Sequence, residues 1–140
     1  MSTTFTSVSN DVLRQVGVIE TLTGATTLTA EDSGKVFILN AAAGAQVTLP
    51  AVADASGHQY RFVVGALFAT TAWTIKAATS KIQGGVIVNS TLVPAADENT
   101  ITFSASADTI GDFVELNCDG SNWYVSGMGT SAGAITLTVV

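Results

Sequence analysis

Four groups of side chains in this 140-residue sequence carry the residue types that chemistry needs. Two are adjacent carboxylate pairs, Glu31 with Asp32 and Asp97 with Glu98. Carboxylates held at unequal pKa act as general acid and base, and clustered ones take a cation. The third group is Asp108, Asp112 and Asp119, which flank one strand-like run and would form a cation site if they met at one end of a sandwich. The fourth is the single Cys118 with the single His58. A thiol needs a base and an electropositive niche to become a nucleophile.

Each group has a plainer reading. Both carboxylate pairs sit beside Gly, Ala, Pro or Asn and read as solvated turns. The spaced acidic loop of a dedicated calcium site is absent. One Cys and one His do not build a tetrahedral zinc site within a chain, although a trimer axis could gather three copies of His58. Cys118 lies in the alternating run FVELNC and reads as a small, half-buried strand residue. His58 lies in the turn-like ASGHQ, with Asp54 its nearest upstream carboxylate. Phosphate-cradling GxGxxG and GxxxxGK[ST] runs do not occur. No catalytic, cofactor-binding or metal-ligating residue is therefore assigned, and the chain is not expected to be an enzyme.

Aromatic residues offer one more candidate. Phe37, Tyr60, Phe62, Phe68, Trp73, Trp123 and Tyr124 fall mostly on alternating positions, which suits core packing. Asn122-Trp123-Tyr124, directly after a turn, is the segment placed best for an exposed sugar platform.

Composition narrows the field. Five basic and 11 acidic residues make 11% of the chain, against about 25% in an average soluble domain. Thr and Ala occur 20 times each. High hydrophobicity with low charge excludes disorder, and a net charge of −6 with five cations excludes nucleic-acid binding. No run reaches 18 apolar residues, so no membrane-spanning helix is expected. The first twenty residues lack the apolar run of a signal peptide, and the sequon Asn89-Ser90-Thr91 matters only on a secretory route. So uncharged an exterior suits burial against another copy or another protein.

The elements that position these residues read as strands. Short Val/Ile/Thr/Phe runs alternate with Gly, Asp, Asn and Ser, the pattern of an all-β, antiparallel sandwich. Strands are expected near 16–22, 26–30, 35–40, 46–49, 60–65, 73–77, 86–88, 101–104, 113–118, 123–126 and 135–139. Asp32-Ser33-Gly34 and Asp119-Gly120 are expected to turn the chain, and Pro50 to end a strand. Gly84-Gly85 reads as a bulge. Residues 1–15 form an N-terminal arm, and 16–140 a single β-sandwich domain. Ser9–Val18 has the spacing and caps of a short helix, with an extended arm as the alternative. TLTG (21–24), TTLT (26–29) and ITLT (135–138) are alike, but no fixed period joins them into a structural repeat. The apolar C-terminal ITLTVV is expected to be covered, in the core or at a subunit interface.

Four stretches together resemble a pattern recurrent in bacteriophage virion proteins. They are TLTAEDSGKVFILNAAAGAQVTLPA (27–51), YRFVVGA (60–66), Trp73-Thr74-Ile75 and GDFVELNCDGSNWYVSG (111–127). The resemblance implies a jelly-roll-like domain that forms homotrimers. It implies a capsid decoration (cement) protein on the outer surface of the virion, bound to the major capsid protein and bracing the shell against internal DNA pressure. Such a family brings no catalytic residues; its signatures here are structural, namely Asp32-Ser33-Gly34, Thr48-Leu49-Pro50, Trp73, and Asp119-Gly120 with Trp123-Tyr124. The same pattern occurs in tail fibre and tail spike modules. A 140-residue chain from Met1 with no β-helical or coiled-coil shaft favours decoration over a tail-associated or receptor-binding module. A carbohydrate-binding β-sandwich outside phages is the third alternative.

Overall fold

The computed structural model describes residues 18–140. The arm 1–15 and nearly all of the Ser9–Val18 segment lie outside them. The described chain forms β1 (Ile19–Leu22), β2 (Thr26–Thr27), β3 (Val36–Leu39), β4 (Gln46–Thr48), β5 (Gln59–Val64) and β6 (Trp73–Lys76). There follow β7 (Ile82–Val88), β8 (Thr91–Glu98), β9 (Thr100–Phe103), β10 (Phe113–Cys118), β11 (Trp123–Gly129) and β12 (Ile135–Thr138). Two single-turn 3₁₀ segments, Ala30–Asp32 and Val52–Asp54, sit in the connections.

The strands make a two-layer β-sandwich. The larger sheet runs β1-β3-β5-β10-β11-β7-β8 and the smaller β12-β9-β6-β4-β2. Strand alternation explains the layering. In β5, Tyr60, Phe62 and Val64 are buried while Gln59, Arg61 and Val63 face outward. Phe37 and Phe62 stack with centroids 5.4 Å apart, and Tyr60 packs on Trp123 at 5.6 Å. Trp73, Ile75, Ile101 and Phe103 supply the opposing layer of the core.

Strand direction differs from the expected antiparallel pattern, because both sheets are mixed. From β1 to β6 the chain alternates between the sheets, so β1, β3 and β5 stack in parallel, as do β2, β4 and β6. A strand that returns to its own sheet after crossing to the other runs the same way as its predecessor. Residues 19–76 are thus wound as three coils, and the comparison with a jelly roll extends to the two layers but not to these directions. The repeat escaped the sequence because the coils are uneven. Register partners lie 17 positions apart from Ile19 to Val36, 25 from Val36 to Arg61, and 28 from Val47 to Ile75.

One strand was not expected. β8 is an edge strand containing Pro94, which edges tolerate because one side needs no ladder donor. Asp97 and Glu98 therefore end a strand rather than forming a turn. The bulge expected at Gly84-Gly85 lies instead on the partner strand: Gly84 and Gly85 pair in register with Ala95 and Pro94, and the register shifts between Ile82 and Gly84, where β8 carries the extra residue at Ala96-Asp97. Gly84 has φ +112°, and a Cβ there would lie 2.5 Å from the Val125 carbonyl oxygen, so only glycine fits. The β7–β8 turn uses positive φ at Asn89 and Ser90, the hairpin geometry that Asn tolerates.

Candidate functional site

The carboxylates read from the sequence do not converge. Asp32 accepts hydrogen bonds from the Thr29 N–H (2.9 Å) and the Lys35 ammonium (2.8 Å), so it braces a turn. Burial works against its ionisation, but the Lys35 and Thr29 contacts outweigh it and hold the carboxyl below the ordinary range. Asp97 accepts from the Gln83 amide at 2.6 Å. Asp112 and Asp119 lie just beyond opposite ends of β10, a span of about 20 Å. Asp108 accepts from the Phe68 N–H. No metal-holding group of His, Cys, Asp and Glu occurs among the described residues.

Cys118 and His58 are neighbours through the backbone, where the Cys118 N–H donates to the His58 carbonyl at 3.0 Å. The Cys118 thiol contacts the Val52 carbonyl, and burial pushes its pKa up, opposite to what a nucleophile needs. Trp123 is fully buried and is core, not platform. Tyr124, one position on, is the exposed aromatic at 43%. Its hydroxyl donates to Asp119 Oδ2 at 2.7 Å. Asp119 also accepts from the Ser121 and Asn122 N–H groups, so one carboxylate closes the expected Asp119-Gly120 turn and fixes the Tyr124 ring.

What the sequence did not disclose is the outer face of the larger sheet. Register aligns six outward apolar residues across six neighbouring strands: Ile38, Val63, Phe113, Met128, Ile87 and Leu92. At the strand spacing, that row is about 24 Å long. Met128, Ile87 and Leu92 are 50%, 44% and 60% exposed, so its β8 end is open apolar surface. Alternation in FVELNC puts Phe113 outward, but only cross-strand register groups it with Met128 and Ile87.

Beside this row runs a polar one. Arg61 pairs with Glu115 at 2.7 Å, and its guanidinium lies 4.1 Å from the Phe113 ring centroid, capping the apolar row. Next come Gln59, Asn117, Tyr124 and Gln83, again in register. Between these rows lies a depression of about 150 Å³ lined by Gly34, Val36, Gln59, Arg61, Glu115 and Asn117, among others. A second, more apolar groove of about 450 Å³ separates the β8 edge from β12, with Val93, Ile135 and Leu137 in its walls. The C-terminal strand is covered only in part: Ile135 is buried, while Val139 and Val140 are exposed.

Compared with known proteins, the chain matches no family model and no curated sequence. The outer face of the larger sheet presents an apolar row open at its β8 end, an ion pair and a line of amides.

Proposed function

We propose that this chain is a virion structural protein of a bacteriophage, a homotrimeric capsid decoration protein that seats on the outer shell and contacts the major capsid protein. The observation that supports this reading is the apolar row from Ile38 to Leu92, about 24 Å of aligned side chains on one sheet face. Burying such a row against a shell subunit favours the assembled state, and binding to that state alone stabilises it by linkage. Three-fold repetition would add avidity without strong single contacts. Non-catalytic action is consistent with the buried, raised-pKa thiol and the engaged carboxylates.

The test is co-sedimentation of the purified protein with mature, DNA-filled capsids. Stoichiometric binding that changes little between low and high salt is expected, because the row carries no charge. A monomer by light scattering, or no binding to any capsid form, would sink the reading.

One observation favours a second reading, a tail-associated module. Residues 19–76 wind as three parallel coils, the construction principle of β-helical shafts. Binding to host cells with none to capsids would select it.

A further inference from the structure

We propose that residues 3–8 of a neighbouring copy add a strand to the open edge of β12, along the groove between β12 and β8, and so hold the copies together. This rests on the homotrimer of the proposed function and names the contact that joins its copies.

The backbone pattern leaves β12 paired on one side only. The Ser104 N–H donates to the Ala134 carbonyl at 2.9 Å, and in an antiparallel ladder opposite residues exchange bonds at every second pair. The N–H and C=O of Ile135 and Leu137 therefore point away from β9. On β9 itself, Ile101 and Phe103 turn toward β6, in phase with the bond from the Ala77 N–H to the Asn99 carbonyl. No strand among the described residues pairs with the outer side of β12.

The two sheet edges on this side are not alike. β8 carries Pro94, Asp97 and Glu98, residue types that discourage strand addition. β12 is Ile-Thr-Leu-Thr, with neither proline nor charge. The groove beside it, about 450 Å³, has Val88, Val93, Ile135 and Leu137 in its walls and no charged side chain among its lining residues. An open edge beside an uncharged, apolar groove suits an extended, uncharged segment: main-chain bonds hold it, and alternate side chains fill the groove.

Residues 1–17 precede the described chain, and one stretch of them has that character. Thr3-Thr4-Phe5-Thr6-Ser7-Val8 is rich in strand formers, and the first charged side chain comes only at Asp11. Length selects the donor copy. Val18 leads into β1, the far edge of the larger sheet, six strand spacings or about 29 Å from β8. The β12 layer lies about 10 Å further down. Residues 9–17 span at most about 32 Å. Within one copy they would have to run straight and fully extended across the sheet face. In a head-to-tail ring the β1 side of one copy meets the β8–β12 side of the next, and the same residues bridge with slack.

The experiment uses the full chain in solution. Light scattering gives its mass, and hydrogen exchange followed by NMR reads the Ile135 and Leu137 amides. A trimer with both amides slowed roughly a hundredfold or more is expected. Phe5→Asp combined with Val8→Asp should return both to within about tenfold of the unpaired rate and shift the mass to monomer, while Ile101 and Phe103 stay slow. To identify the donor, chains spin-labelled at Ser7→Cys are co-refolded with isotope-labelled chains, with Cys118→Ala in both. Broadening at Ile135 and Leu137 of the isotope-labelled chains marks a strand from another copy. If Cys118→Ala does not fold, the shift in mass decides the donor. Broadening only when both labels share a chain shows the segment folding back on its own copy, and overturns the proposal. Fast amides in a trimer overturn it too, even where capsid binding later slows them, because the shell then supplies the strand; the trimer itself survives that result. A monomer overturns both readings.

Discussion

Asp112 Oδ1 accepts both the backbone N–H and the hydroxyl of Thr130, each at 2.9 Å, from a position only 1% exposed. Its second oxygen accepts the Thr109 N–H at 3.0 Å. One side chain thus ties the loop before β10 to the end of β11. Asp112→Ala leaves these donors without partners and should lower unfolding free energy by roughly 2–4 kcal/mol in urea melts. Thr130→Val removes only the hydroxyl bond and should cost about 1 kcal/mol. Equal losses in the two variants would contradict this division.

The apolar row predicts a split between stability and assembly. Leu92→Ser and Met128→Ser alter exposed positions, so each should move stability by no more than about 0.5 kcal/mol. The same variants should abolish co-sedimentation with capsids. Wild-type binding by both variants would remove the row from the interface.

Adjacent residues at the start of β11 should behave oppositely. Trp123→Ala empties a fully buried site against Tyr60 and should cost about 3–5 kcal/mol. Tyr124→Phe loses only an exposed hydrogen bond and should stay within about 1 kcal/mol of wild type. Chemical denaturation of both variants checks the inward and outward assignment.

Acid should weaken the fold through Asp32 and Asp119. The Asn122 N–H, the Tyr124 hydroxyl and the Ser121 N–H hold the Asp119 carboxyl below its ordinary 3.8, as Lys35 and Thr29 do for Asp32. A depressed folded pKa gives stability that is present above the unfolded value and lost as pH falls through the folded one. Urea midpoints should therefore be flat with respect to these two groups above about pH 5 and decline below about pH 4. The double variant Asp32→Asn with Asp119→Asn should show a shallower acid decline; an unchanged slope would refute the assignment.

How far the sequence discloses this structure varies from element to element. Alternation in QYRFVV and FVELNC was enough to read Tyr60 and Phe62 as core and Cys118 as a strand residue turned inward. Asp119-Gly120 marked its hairpin, since Asp and Gly satisfy a turn locally. β8 was hidden because Pro94 and the carboxylates Asp97 and Glu98 carry the composition of a turn, which an edge strand tolerates. Parallel stacking was hidden because direction depends on where a connection lands. The candidate site was the least legible part. Met128, Ile87 and Leu92 are unremarkable singly, and Trp123 looked as available as Tyr124 until register and facing were fixed.

The position of the β10–β11 hairpin bears on how the chain is made. The hairpin lies between β5 and β7, so the parallel coils and the β7–β8 hairpin touch opposite sides of it within the larger sheet. Until residues 113–129 have left the ribosome, β5 and β7 both present unpaired edges, and the sheet exists only as two halves. The β10–β11 hairpin therefore acts as a keystone: a nascent chain halted before Phe113 holds most of the hydrophobic residues but not the piece that joins them.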